Sequence, residues 1–207
     1  MDPEKTPDKK EIQRINRLQS KIFSELVSCF DPPLAEGVPQ RLKEIVASAC
    51  ICPEETVLDV GSGTGILIPL IKEYHPSRIY ACDLSHSMLK QLKGHYPEVE
   101  AVVSDVRDLA LPDASVHVVF INATYPNIVD KKGAFANIIR MMTQAGRMVI
   151  SHPMGKSFID GLRKSTPFPL DDFPEKPEAR TLLEPYGFRI EGFIDKPSLY
   201  ILVAVKR

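Results

Sequence analysis

Apolar positions recur along this chain with two different periods, and the switches between them mark its elements. Ile12, Ile15, Leu18, Ile22, Leu26 and Phe30 fall at three- and four-residue steps, with Gln13, Arg14, Arg17 and Lys21 between them. That spacing predicts an amphipathic helix over 11–30. Asp31-Pro32-Pro33 ends it, and Gly37-Val38-Pro39 prepares a second helix running to about Cys50. Residues 1 to about 10 show no apolar period and are expected to be disordered. From Thr56 onward the period shortens. Apolar, β-branched runs at 56–60, 78–82, 99–103, 116–121 and 147–151 read as buried strands.

Helical spacing returns between these runs. It appears behind Gly65 in Ile66, Leu67, Ile68, Leu70 and Ile71, and after Ser85 in Met88, Leu89 and Leu92. It appears again over 130–143, through Phe135, Ile138, Ile139 and Met142. Gln144-Ala145-Gly146 reads as a turn. A proline-rich stretch around a short helix at 156–163 precedes a helix at 178–186, stopped by Gly187. Two last strands, 188–194 and 199–205, are expected to pair antiparallel. Strands alternating with helices predict an α/β chain with an open, mostly parallel sheet and ligands at the strands' carboxyl ends.

The stretch Thr-Val-Leu-Asp-Val-Gly-Ser-Gly-Thr-Gly, from Thr56 to Gly65, organises this pattern. A strand turning through glycines into a helix is a nucleotide-binding device, because glycine allows positive φ and close approach of a ligand to backbone. The dinucleotide fingerprint G-x-G-x-x-G is not met, since Ile66 stands at the third glycine's place. Asp59, two positions before Gly61, would repel a pyrophosphate and suits a ligand with a sulfonium or ammonium group. Asp83 ends the second strand about twenty residues on, where a carboxylate can hold two ribose hydroxyls. Asp105, after the third strand, can hold an adenine's exocyclic amine.

Composition narrows the field further. The chain has 207 residues and a formal net charge of -1, enough for one α/β domain and without the basic excess nucleic-acid binding needs. No apolar run is long enough to span a membrane. Met1-Asp-Pro-Glu-Lys5 is neither a signal peptide nor an Arg-rich transit peptide, which points to the cytoplasm; a processed precursor would have lost such a segment. Cys50-Ile-Cys52 has no second pair at zinc spacing, so no metal is expected.

These residues together carry a resemblance. Val57-Leu-Asp-Val-Gly-Ser-Gly-Thr-Gly65 resembles motif I of the class I S-adenosylmethionine-dependent methyltransferases, and Asp83-Leu-Ser-His-Ser-Met-Leu89 resembles their D-L-S-x-x-M-L motif. Asp105 with Leu109-x-Leu-Pro-Asp-x-Ser115 is similar to the run before their fourth strand. Here the Phe after Leu-Pro is missing and Val116-His117 replaces Phe-Asp. Ala145-Gly146-Arg147 stands near their P-G-G turn. The likeness covers residue 40 to the end and is closest to the small-molecule branch with ubiquinone and menaquinone C-methyltransferases.

The resemblance implies a Rossmann-like, seven-stranded, mostly parallel sheet with helices on both faces and a C-terminal antiparallel hairpin. It implies a domain over 51–207 that binds S-adenosylmethionine, preceded by a helical extension over 1–50 that could serve as a lid. Carried over by position, Asp59, Gly61, Ser62 and Gly63 would contact the methionine part, and Asp83 the ribose. Leu84 and Met88 would pack near the adenine, Asp105 and Val106 would cap its edge, and Asn122 would face the methionine part and the substrate entrance. His152 is the first candidate for a general base, with Tyr125 and His86 behind it. The expected substrate is a small, apolar or aromatic molecule, and a second copy of the chain stays open as a partner. RNA or protein methylation, and a non-catalytic cofactor-binding partner protein, are the alternatives.

Overall fold

The computed structural model describes residues 8–27 and 33–207. Helix α1, Lys9–Glu25, starts where Asp8 accepts a hydrogen bond from the Glu11 amide at 2.8 Å. This cap sets Lys9 and Lys10 in the helix, within the stretch expected to be disordered, while residues 1–7 lie outside the described residues. The helix ends at Glu25 with Leu26 as its cap, short of the expected end at Phe30, which lies outside the described residues. Helix α2, Val38–Ser48, follows Gly37 at φ 74, with proline in its first turn.

Strands β1 (Thr56–Val60), β2 (Arg78–Asp83), β3 (Glu100–Val103), β4 (Val116–Asn122), β5 (Met142–His152), β6 (Phe188–Lys196) and β7 (Leu199–Lys206) form one sheet in the order β3-β2-β1-β4-β5-β7-β6. The first five in chain order run parallel, while β7 pairs antiparallel with both β5 and β6. Helices α3 (Ile68–Lys72), α4 (His86–His95), α5 (Lys131–Met141), α6 (Ser157–Arg163) and α7 (Lys176–Leu183) complete the fold. Ser85 caps α4 by accepting from the Met88 amide, as its position after the second strand implies.

Alternate residues of the central strands serve two cores. Leu58, Val60, Val119, Ile121, Met148 and Ile150 face one side of the sheet, with α5, α7 and Ile15 of α1. Val57, Val118, Phe120 and Val149 face the other, against α2, α3 and α4. Burial on both faces is why these strands read as continuous apolar runs.

Two boundaries differ from the sequence expectation. The Gln144-Ala145-Gly146 turn is absorbed into a longer β5, where Ala145 at φ 58 accompanies a register jump between Val116↔Met142 and Val118↔Arg147. The last helix starts earlier, at Lys176, and closes through a 3-10 turn, Glu184–Tyr186, before Gly187 at φ 82. Between β1 and β4 the chain's crossovers turn in opposite directions. That reversal opens a crevice at the carboxyl ends of the strands.

Candidate functional site

A cavity of about 400 Å³ occupies that crevice. Its floor is the turn after β1. The Gly61 amide donates to the Cys82 carbonyl at 2.7 Å, tying this turn to β2. A Cβ on Gly61 would lie 2.2 Å from Thr124 Oγ1, so this glycine is required by the neighbouring β4 loop. Gly63 differs: an added Cβ would meet only the Met88 sulfur, at 4.0 Å. Its amide donates to Asp83 Oδ2 at 2.9 Å, and its Cα faces open space. Between them, Ser62 Oγ is buried without a hydrogen-bond partner, the one such side-chain atom among the described residues. A buried hydroxyl left unpaired at a cavity wall calls for a ligand atom or a water.

Three carboxylates define the charge of the cavity. Asp59, at the end of β1, is 2% exposed, and burial followed by repulsion from Asp83 pushes its pKa up to about 8. Burial also raises Asp83, against the opposing pull of hydrogen bonds from the Ser85, Gly63 and Leu84 amides. Asp105 is held differently. Its Oδ2 accepts from Asn16 Nδ2 at 2.5 Å and from Arg107 Nε and Nη2 at 3.0 and 2.9 Å.

Helix α1 roofs this part of the cavity. Gln19, 1% exposed, donates to the Asn127 carbonyl at 2.9 Å, and Ser20 donates to the Leu84 carbonyl at 2.8 Å. The Ser24 and Ser85 hydroxyls pair at 2.7 Å. The sequence reading missed Asn16 and Gln19 as cavity residues. The signal was present for Gln19, because Ile12, Ile15, Gln19 and Ile22 form one helical stripe and a polar member of a buried stripe needs a partner.

The far end of the cavity lies where β4 and β5 finish. Asn122 accepts a hydrogen bond from buried Ser151 Oγ at 3.0 Å, on its Oδ1. Ala123 follows at φ 55, a left-handed conformation uncommon for alanine, held by its amide's bond to the Ser151 carbonyl at 2.8 Å. His152 is 4% exposed and rests near Phe158 and Phe173, with ring centroids at 5.3 and 5.8 Å. Its Nδ1 accepts from the Met154 amide at 3.1 Å, and burial pushes its pKa down to about 4. The neutral ring therefore carries its proton on Nε2. Apolar side chains also line the cavity, among them Phe23, Leu34, Val38 and Phe158, the last beside His152.

Every residue read from the sequence as cofactor-binding lines this one cavity, and His152 lines it too. Tyr125 does not. It sits beneath the cavity wall, stacked on Phe173 at 5.5 Å, and burial raises its phenol further out of reach of ionisation. His86 is exposed at the start of α4, also outside the lining. No cluster of metal-ligating side chains occurs among the described residues.

Residues 58–150 match a family model described as a methyltransferase domain. Over that stretch the chain carries a methyltransferase domain. Within the match lie the glycine turn, all three carboxylates and Asn122. The methyltransferase domain is similar to the malonyl-[acyl-carrier protein] O-methyltransferase of Hahella chejuensis, 31% identical over 62% of this chain and 47% of that protein. A demethylmenaquinone methyltransferase of Paenarthrobacter aurescens is 30% identical over 58% of this chain and 49% of its own length. The chain thus spans about half the length of these relatives. Among solved structures, the magnesium protoporphyrin IX methyltransferase of Synechocystis PCC 6803 with bound SAH superposes with a TM-score of 0.68. That match covers 97% of this chain and all of the other at 17% identity, a likeness of fold. No helix among the described residues is long and apolar enough to cross a membrane.

Proposed function

We propose that this protein transfers a methyl group from S-adenosylmethionine to a small, apolar or aromatic acceptor. One observation carries the reading: one cavity brings the glycine turn and three carboxylates together with Asn122, His152 and a largely apolar lining. Its volume lies within the range of about 300–1,000 Å³ usual for small-molecule sites. The residues present fit the cofactor. Ser62 Oγ lacks a partner, Gly63 leaves room for close approach, and the charged lining is acidic, as a cationic ligand requires.

In this reading Asp59 faces the positive charge of the methionine part. Asp83 holds the ribose hydroxyls, oriented by the Gly63 and Ser85 amides it already accepts from. Asp105 holds the adenine amine, and Val106, Leu84 and Met88 pack against the ring. S-adenosylmethionine supplies an activated methyl group on a sulfonium, so the protein's task is alignment in a dry site. Helix α1, fixed across the cavity by Asn16, Gln19, Ser20 and Ser24, keeps water out. His152 and Asn122 orient the acceptor at the β4 and β5 ends.

Calorimetric titration with S-adenosylmethionine, S-adenosylhomocysteine and NAD tests the reading. Micromolar binding of the first two and none of NAD is the expected result. No binding of either adenosyl ligand would overturn it.

A further inference from the structure

The acceptor end of the cavity has a distinct chemistry. Asn122 Oδ1 is occupied by the Ser151 hydroxyl, so its amide group is presented with both N–H donors unspent by any other described side chain. His152 Nδ1 is occupied by the Met154 amide, so the ring's remaining group is an Nε2–H donor. Nε2 has no hydrogen-bond partner among the described residues and is not sealed from the cavity that His152 lines. Both groups are neutral donors, and both are fixed from behind by the protein.

The charges around them are of one sign. Among the described residues no lysine or arginine lines the cavity, whose charged lining side chains are Asp59, Asp83 and Asp105. Arg41 donates to the Pro153 carbonyl beside this end, and Arg107 is spent on Asp105 and Asp130. An acceptor entering as a carboxylate or phosphate would lose its hydration and meet carboxylates in return. A neutral molecule with an oxygen acceptor would find two waiting donors.

Resting on the methyltransferase reading above, we propose that the acceptor is an uncharged molecule bearing a phenol or carbonyl oxygen, held by His152 Nε2–H and the Asn122 amide. His152 is then a hydrogen-bond donor to the acceptor and not its base. Loss of the acceptor's proton leaves an oxyanion, and hydrogen bonds from these two donors stabilise the charge that gathers there as the neighbouring carbon becomes nucleophilic. In the transfer, the electron pair of the carbon beside that oxygen would form the new bond to the methyl carbon. The sulfur–methyl bonding pair would return to sulfur, the acceptor's proton having gone to bulk solvent beforehand. The charge balances without a protein base.

Three naphthyl probes of one size test this in the full chain saturated with S-adenosylhomocysteine, near neutral pH. They are 1-naphthol, naphthalene and 1-naphthoate. Calorimetry is expected to place 1-naphthol about 3- to 10-fold tighter than naphthalene, the worth of a net hydrogen bond. The naphthoate should bind on the order of 100-fold more weakly than the naphthol, because its charge is left unpaired. His152→Phe keeps a ring against Phe158 and Phe173, and should bring 1-naphthol down to the affinity of naphthalene while S-adenosylhomocysteine binds as before. Any other order of the three probes, including no binding of 1-naphthol, overturns the proposal. Failure of S-adenosylhomocysteine itself to bind would remove the methyltransferase reading, and is seen separately in the first titration.

Discussion

Asn16 Nδ2 and Arg107 approach one oxygen of Asp105 from two elements, at 2.5 Å from α1 and at 2.9 and 3.0 Å from the turn after β3. The roof of the cavity is thereby pinned to the carboxylate proposed to hold the adenine. A hydrogen bond to a charged group is worth about 1.5–3 kcal/mol, and partial exposure here reduces that. Asn16→Ala should therefore lower the cost of lifting α1 by about 1 kcal/mol. Hydrogen exchange would show faster exchange across α1 with unchanged protection in the central strands. Equal protection of α1 in both proteins would mean that Gln19, Ser20 and Ser24 hold the helix alone.

Asp83, proposed to hold the ribose, also accepts from the Gly63 and Ser85 amides at 2.9 and 2.8 Å. Asp83→Ala should weaken S-adenosylmethionine binding by about 1.5–3 kcal/mol and lower the thermal midpoint as well. Asp83→Asn keeps one oxygen acceptor and should recover most of the midpoint but little of the affinity. Titration beside thermal unfolding separates the two effects.

The pH dependence of cofactor binding should report Asp59. Its pKa is raised to about 8 in the ligand-free protein, and a cationic ligand favours the ionised form. Affinity for S-adenosylmethionine is expected to climb as pH rises toward and through that value. Stability of the free protein should move the other way. A raised pKa means stability present below the ordinary value of 3.8 is lost as pH rises through about 8. Asp59→Asn should flatten both curves, and an unchanged binding profile in that variant would place the titrating group elsewhere.

His152 works in the acid range with the opposite sign. Its pKa falls from 6.5 to about 4, so the stability it contributes is present above 6.5 and is lost as pH falls through about 4. His152→Gln should be less sensitive than the wild type to acid unfolding across that window. Equal acid sensitivity would show that the ring escapes its buried setting before it protonates.

The two glycines of the turn should fail in different ways. Gly61→Ala puts a Cβ 2.2 Å from Thr124 Oγ1 at φ 66 and should cost about 2–4 kcal/mol of folding stability. Gly63→Ala meets open space at φ 53, and should cost about 1 kcal/mol of stability while strongly weakening cofactor binding. Chemical denaturation and calorimetry on both variants give the comparison.

The strands and the acidic end of the cavity were legible because their signals are local. Asp59 stands two positions before Gly61, and Asp83 is the last residue of its strand. Sequence neighbours bring those groups together, and the parallel register of β1 and β2 does the rest. The roof was not legible to the same degree. Asn16 meets Asp105 across 89 positions, and nothing in an amphipathic period says which distant carboxylate a polar residue will meet. The ends of elements were blurred for a related reason. Ala145 sits in β5 where five steps of that strand, Met142 to Arg147, run against two of β4, Val116 to Val118, a tertiary effect that a turn-like Gln-Ala-Gly conceals. Tyr125 looked like an active-site phenol from its place after β4, yet Phe173 draws it beneath the wall.

The crowding of Asp59 and Asp83 at one end of the cavity also bears on how a reaction cycle would finish. Giving up its methyl group turns a sulfonium into a neutral thioether, so the attraction that drew the ligand inward disappears while the two carboxylates remain. With its countercharge gone, Asp59, whose pKa is raised, would take a proton back from solvent, and the spent ligand would be held by hydrogen bonds and packing alone. On the proposed reading, the turn that favours arrival would disfavour lingering, and product release would follow from a change in the ligand's own charge.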